Sequence, residues 1–96
     1  MAEREMLTVF AYDVSSDKSR RKVARVLEKV ASRVQGSVFE VRMTAARAKR
    51  TGAAIAPHLG PGDSLRVYAV GAAGQARSRV WGDAAPFEDD ADYWLL

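Results

Sequence analysis

The chain has 96 residues, of which 48% are hydrophobic, no cysteine, and a formal net charge of +3. That length makes one small domain near the lower limit of a self-sufficient core, so pairing with a second copy adds stability, and the apolar content excludes a disordered chain. Disulfides and thiolate metal sites are excluded, no apolar run approaches the ~20 residues that span a bilayer, and Met1 to Met6 lacks the order of a signal peptide, so a soluble cytoplasmic protein with no membrane partner is expected.

Leu7 to Tyr12 reads as the first strand, with Leu7, Val9, Ala11 and then Asp13 on one face and Thr8, Phe10 and Tyr12 on the other. A carboxylate at a strand end has two readings: it caps the following turn, or it points into a site at the sheet edge. Ser15, Ser16 and Asp17 offer N-cap oxygens for a helix expected to run to about Ser32, with Val23, Val26, Leu27, Val30 and Val34 as its sheet-facing stripe. Lys18, Lys22, Arg25, Lys29 and Arg33 recur at helical spacing on a second face. Most charge runs are simply solvated faces. Here, however, residues 18–50 hold eleven of the fifteen Lys and Arg with only Glu28 and Glu40 opposing them, and such crowding of like charge points to a polyanion partner.

Ser37 to Met43 alternates as a strand with Phe39, Val41 and Met43 on one side, and Gly36 marks a bend or bulge. The pattern leaves open whether 33–43 is one strand or two. Thr44 caps a second helix over Ala45 to Ala56 with Arg47, Lys49 and Arg50 exposed; Gly52 weakens it and Pro57 ends it. His58 has no second ligand at metal spacing and reads as structural or solvent-facing. Gly60-Pro61-Gly62-Asp63 is turn chemistry, and Ser64 to Val70 is a strand with Leu65, Val67 and Ala69 on one face. After a turn at Gly71 to Gly74, a last strand is expected over Ala76 to Gly82 with Arg77, Arg79 and Trp81 on a common face. Residues 83–96 carry five acids and no base among Phe87, Tyr93, Trp94, Leu95 and Leu96, an anionic tail suited to protein contacts rather than to nucleic acid.

This order predicts an α+β sandwich, helices on one face of a largely antiparallel sheet, as a single domain over residues 1–82 with its core in 7–82. No phosphate loop, nucleophile triad, dinucleotide fingerprint or metal-ligand cluster is present. Asp13 is the one candidate for a hard divalent ion, since Mg²⁺ keeps several waters and takes one or two carboxylates with substrate phosphate. One Asp per chain is a poor site, but in a two-fold dimer a residue near the axis meets its own copy.

Tyr12-Asp13 closing the first strand, Arg20-Arg21-Lys22 opening the helix, the stretch Arg33 to Glu40, and Asp63 to Tyr68 opening a later strand together resemble the Cas-two family of small CRISPR-associated proteins, over roughly residues 7–82. The resemblance implies a ferredoxin-like fold with an extra C-terminal strand, commonly laid along the partner subunit's sheet. It implies a homodimer whose two Asp13 carboxylates share a Mg²⁺ or Mn²⁺, with metal-dependent endonuclease activity on RNA or DNA. Its supporting catalytic positions fall on Tyr12, Arg20, Lys22, Arg33 and Phe39. Lys22 departs from the arginine common there, and a lysine lacks the bidentate fork; for Phe39 a core or interface place outweighs a catalytic one. The resemblance most firmly implies spacer acquisition: a dimer that bridges the CRISPR integrase and holds prespacer duplex DNA, for which Lys18, Arg21, Lys22, Arg25, Lys29 and Arg33 are the phosphate-contacting candidates. Single-stranded RNA is a further partner beside the duplex; a toxin-like ferredoxin-fold endoribonuclease and a non-catalytic nucleic-acid-binding dimer are the alternatives. An RNA-binding sheet of the stacking type lacks its aromatic residues here.

Overall fold

The period-two alternation makes Met6–Asp13 a strand, β1, whose even-numbered side chains Phe10 and Tyr12 are buried while Asp13 stands exposed. In this computed structural model, which describes residues 4–71 and 74–83, β1 is the centre of a five-stranded antiparallel sheet. It pairs with β3 (Val38–Met43) on one side and β4 (Ser64–Val70) on the other, placing Phe10 between Phe39 and Val67. β2 (Ser32–Gln35) flanks β3 and β5 (Arg79–Gly82) flanks β4, giving the order β2-β3-β1-β4-β5. Apart from Asp83, the expected anionic tail lies outside the described residues.

Helices α1 (Asp17–Glu28) and α2 (Ala45–Ile55) cover one face of the sheet, where Val23, Leu27, Ala48 and Ile55 meet Phe10, Phe39, Leu65 and Val67. Each large side chain fully enclosed there contributes roughly 1.5–3 kcal/mol relative to exposure. Both helices start where the sequence places their caps: the Ser16 hydroxyl accepts from the Ser19 N–H at 3.3 Å, and the Thr44 hydroxyl from the Arg47 N–H at 3.2 Å. This is the expected ferredoxin-like sandwich with a fifth strand. The opposite face of the sheet carries Leu7, Val9, Ala11, Val38, Glu40 and Arg66, and no described helix covers it. Among the described residues no helix is long and apolar enough to cross a membrane.

Several expectations are corrected, and the open question of 33–43 is decided. Helix α1 ends at Glu28 rather than near Ser32: the N–H groups of Val30 and Ala31 both turn back to the Leu27 carbonyl, at 3.0 and 2.8 Å, and the chain then extends to pair with β3. Arg33 is therefore a strand residue. The stretch 33–43 is two strands divided at Gly36, which holds φ +32° in the hairpin turn, and a bulge between Arg33 and Gln35 leaves Val34 55% exposed instead of facing the core.

The last strand is also shorter than expected. Gly74–Arg77 forms a single helical turn, α3, because the Ser78 hydroxyl donates to the Gly74 carbonyl at 2.7 Å and accepts from the Ala69 N–H at 2.9 Å, folding the connection onto β4. Arg77 leaves the face of Arg79 and Trp81 and donates to the carbonyls of Arg4 and Met43, at 2.9 and 3.2 Å. β5 pairs with β4 of its own chain, Trp81 opposite Leu65. The Trp81 ring lies over α2 at Gly52, where a Cβ would sit 2.5 Å from it, so the residue that weakens the helix also admits the indole.

Candidate functional site

Successive strand residues point to opposite faces, so β1 sends Tyr12 and Asp13 to opposite sides of the sheet. Tyr12 is buried on the helical side, its ring stacked on Phe39 with centroids 6.3 Å apart and planes at 26°. Arg33, opposite Phe39 in the β2–β3 register, lays its guanidinium over the Phe39 ring at 4.9 Å from the centroid, and its far end reaches Glu28 at 3.6 Å. Phe39 itself is fully buried. It supports the Tyr12 and Arg33 groups from below.

Arg20, on the first turn of α1, donates to the Val14 carbonyl at 3.1 Å and pairs with Asp17. Tyr12, Arg20, Arg21 and Arg33 line an open cleft of about 410 Å³, together with Gly36 and Ser37 of the hairpin. Burial raises the Tyr12 hydroxyl above its ordinary value, with Glu28 acting the same way and Arg33 and Arg20 pulling it back. The phenol thus stays protonated at neutral pH and can donate a hydrogen bond; it cannot act as a base. The cleft is a cationic recess with one buried donor, chemistry suited to a phosphate or another anion.

The structure therefore brings Tyr12, Arg20, Arg33 and Phe39 together and sets Asp13 apart. Asp13 is exposed on the uncovered face at the end of β1, beside Ser64 in the β1–β4 register. Lys22 is exposed on α1 and does not line the cleft. Among the described residues no three His, Cys, Asp or Glu gather into a metal-holding group. The donor set of one chain at this strand end is a single exposed carboxylate, a weak site for Mg²⁺ by itself.

Lys18, Arg21, Lys22, Arg25 and Lys29 all stand exposed along α1 and its C-cap. Asp17 pairs with Arg20 and Glu28 with Arg33, and none of these five cations has an acidic partner among the described residues. Such a surface attracts polyanions and is not spent on the fold.

Asp63 was legible as a turn residue but not as a clamp. Its carboxylate is buried and accepts from the Gly60 N–H at 2.8 Å and the Ser15 N–H at 3.0 Å, tying the β1–α1 loop beside Asp13 to the α2–β4 loop. Those two backbone donors, Gly60 first, hold its acid strength below the usual aspartate range. A depressed folded-state value gives stability that is fully present above the unfolded value, about 3.9, and is lost as pH falls through the folded one. Asp63→Asn is thus expected to melt at a lower temperature than the parent at pH 7, and the gap should narrow on acidification below about pH 4. A gap that is the same at both pH values would remove the carboxylate from this role.

A model of the family described as CRISPR associated protein Cas2 matches residues 6–77. The chain is 32% identical over 93 residues to CRISPR-associated endoribonuclease Cas2 1 of Chloroflexus aurantiacus, covering 95% of this chain and 100% of the relative. It is 32% identical over 78 residues to CRISPR-associated endoribonuclease Cas2 3 of Synechocystis, covering 80% and 85%. Among solved structures it is similar to a hypothetical protein, TT1823, from Thermus thermophilus, with a TM-score of 0.64 at 34% identity over 69% of this chain and 82% of that one. A chain of a partial Cas6-RT-Cas1–Cas2 complex matches with a TM-score of 0.58 at 34% identity over 68% of this chain and 73% of that one.

Proposed function

The chain belongs to the CRISPR-associated Cas2 family, and on that premise we propose that it is a dimeric protein of CRISPR adaptation that holds prespacer duplex DNA and bridges the Cas1 integrase. The observation that carries this reading is the unneutralised cationic surface of α1, Lys18, Arg21, Lys22, Arg25 and Lys29, with Arg33, paired to Glu28, on the neighbouring β2. Phosphate contacts of this kind fix a duplex in place without reading its sequence. The solved assembly that contains a similar chain together with Cas1 supports the integrase as partner.

The second copy packs through the uncovered sheet face, which brings the two Asp13 carboxylates near the two-fold axis. A Mg²⁺ or Mn²⁺ bound between them would activate water for phosphodiester hydrolysis and neutralise phosphate charge. Asp13 supplies the anionic ligand. Tyr12, Arg20 and Arg33 lie across the sheet from it, so their part is to orient phosphates in the cationic cleft, with Phe39 as their support. The relatives' name, endoribonuclease, supports nuclease chemistry of this kind, with RNA as a substrate beside DNA.

One set of measurements tests this. If the dimer neutralises about six phosphates, log K for duplex DNA should fall with log salt at a slope of roughly −5. Lys18→Glu, Lys22→Glu and Arg25→Glu combined should weaken every duplex alike and flatten that slope; unchanged affinity would sink the scaffold reading. Asp13→Asn should leave binding intact and abolish metal-dependent cleavage. Cleavage that survives both chelation and Asp13→Asn would refute the shared carboxylate site, and a parent that binds without cleaving would leave the scaffold role alone.

A further inference from the structure

The outer surface between α1 and α2 holds a groove of about 390 Å³, of whose lining the proposed function uses Lys29 alone. Val26 and Val30 of the α1 end, both half-buried against the core, and Ala54 of α2 give it an apolar floor. Exposed Lys29, Arg47 and Arg50 form its rim. None of the three has an acidic partner among the described residues, and α2 contains no acid at all. Three unneutralised cations around an apolar slot call for a ligand that carries both negative charge and greasy side chains.

We propose that this groove is the docking site for the acidic and aromatic segment of the same chain that follows Asp83. Four acids, Glu88, Asp89, Asp90 and Asp92, match the cationic rim, and Phe87, Tyr93, Trp94 and Leu95 match the floor. A nucleic acid backbone answers only the first of those features. The reach also fits. The Asp83 N–H donates to the Asp63 carbonyl at 2.8 Å, which starts the segment beside the loop that leaves the C-terminal end of α2. Arg50 and Arg47 stand about 8 and 12 Å up that helix from Ile55 at 1.5 Å per residue. Extended chain at about 3.3 Å per residue carries Glu88 to Asp92 some 17 to 30 Å from Asp83, enough to lie along both arginines. Tethering completes the argument: at an effective concentration of order 1 mM, a groove affinity of only about 100 µM gives roughly 90% occupancy.

The test uses the full chain, which has no cysteine, with Ala91→Cys carrying a nitroxide. In isotope-edited spectra the amide signals of Lys29, Val30, Arg50 and Ala54 should lose most of their intensity, while those of Leu7 and Val9 on the uncovered sheet face keep theirs. Arg47→Glu with Arg50→Glu should restore the groove signals; both side chains are exposed, and unchanged dispersion elsewhere in the spectrum verifies the fold. Groove signals that keep full intensity in the labelled parent would overturn the proposal. So would equal loss in a mixture of spin-labelled and isotope-labelled molecules, which would put the segment on a second copy. Neither outcome depends on duplex binding or on cleavage, so the proposed function stands or falls separately.

Discussion

Phe39→Ala is expected to lower the unfolding free energy by about 3–5 kcal/mol, the cost of emptying a fully enclosed aromatic site. The ring is buried at the centre of β3, faces Phe10 in the β1 register, stacks on Tyr12 and carries Arg33 on its other side. Against a total of about 5–15 kcal/mol for a domain of this kind, that loss removes a large part of the stability, and denaturant midpoints will register it directly. Phe39→Leu separates packing from chemistry. It keeps most of the volume at a cost below about 1.5 kcal/mol and gives up the cation–π contact, worth about 0.5–1 kcal/mol at a half-exposed site. If phosphate binding falls in Phe39→Leu while the fold holds, the ring acts by positioning Arg33 over the cleft. If binding is unchanged, Phe39 is core and nothing more.

The residues that were legible in the sequence are those whose two neighbouring faces differ in kind. Phe10 and Tyr12 are large and buried where Leu7, Val9 and Ala11 are smaller and half-buried, so the alternation of β1 was unambiguous, and with it the divergence of Tyr12 and Asp13. Val30 and Val34 misled because two valines four apart satisfy both a helical stripe and a strand face; only the pairing of Ser32–Gln35 with β3 decides between them. That same pairing puts Arg33 over Phe39, a contact invisible while Arg33 is read as helical. The clamp at Asp63 was hidden for another reason. Its donor at Ser15 lies 48 residues away, and local turn chemistry alone accounts for an aspartate after Gly-Pro-Gly. Arg77 likewise left its expected strand because the hydroxyl of the next residue, Ser78, donates to the Gly74 carbonyl and accepts from the Ala69 N–H, contacts that no periodicity of side chains announces.

Val9→Glu is expected to weaken the proposed dimer by more than about a hundredfold while leaving the monomer folded. Val9 sits midway along β1 on the uncovered face, with Glu40 and Tyr68 as its cross-strand neighbours. Five strands about 4.8 Å apart, four to eight residues each and about 20 Å long on average, offer about 450–500 Å² per copy, so a face-to-face pair buries about 900–1,000 Å², the lower limit of a specific interface. An interface that small has no surplus. Two glutamates forced against a mainly apolar partner surface cost at least about 3 kcal/mol, which is more than a hundredfold in the dissociation constant. Within the monomer the same side chain keeps one side in water, and the loss is limited to strand preference, about 1 kcal/mol or less. Sedimentation at micromolar concentration should therefore find the parent dimeric and Val9→Glu monomeric, with similar melting temperatures at concentrations where both are monomers. The Asp13 hypothesis adds a second readout: if two copies must meet to complete the metal site, Val9→Glu should lose metal-dependent cleavage although Asp13 is intact. A Val9→Glu chain that stays dimeric would move the interface off this face, and with it the pairing of the two carboxylates.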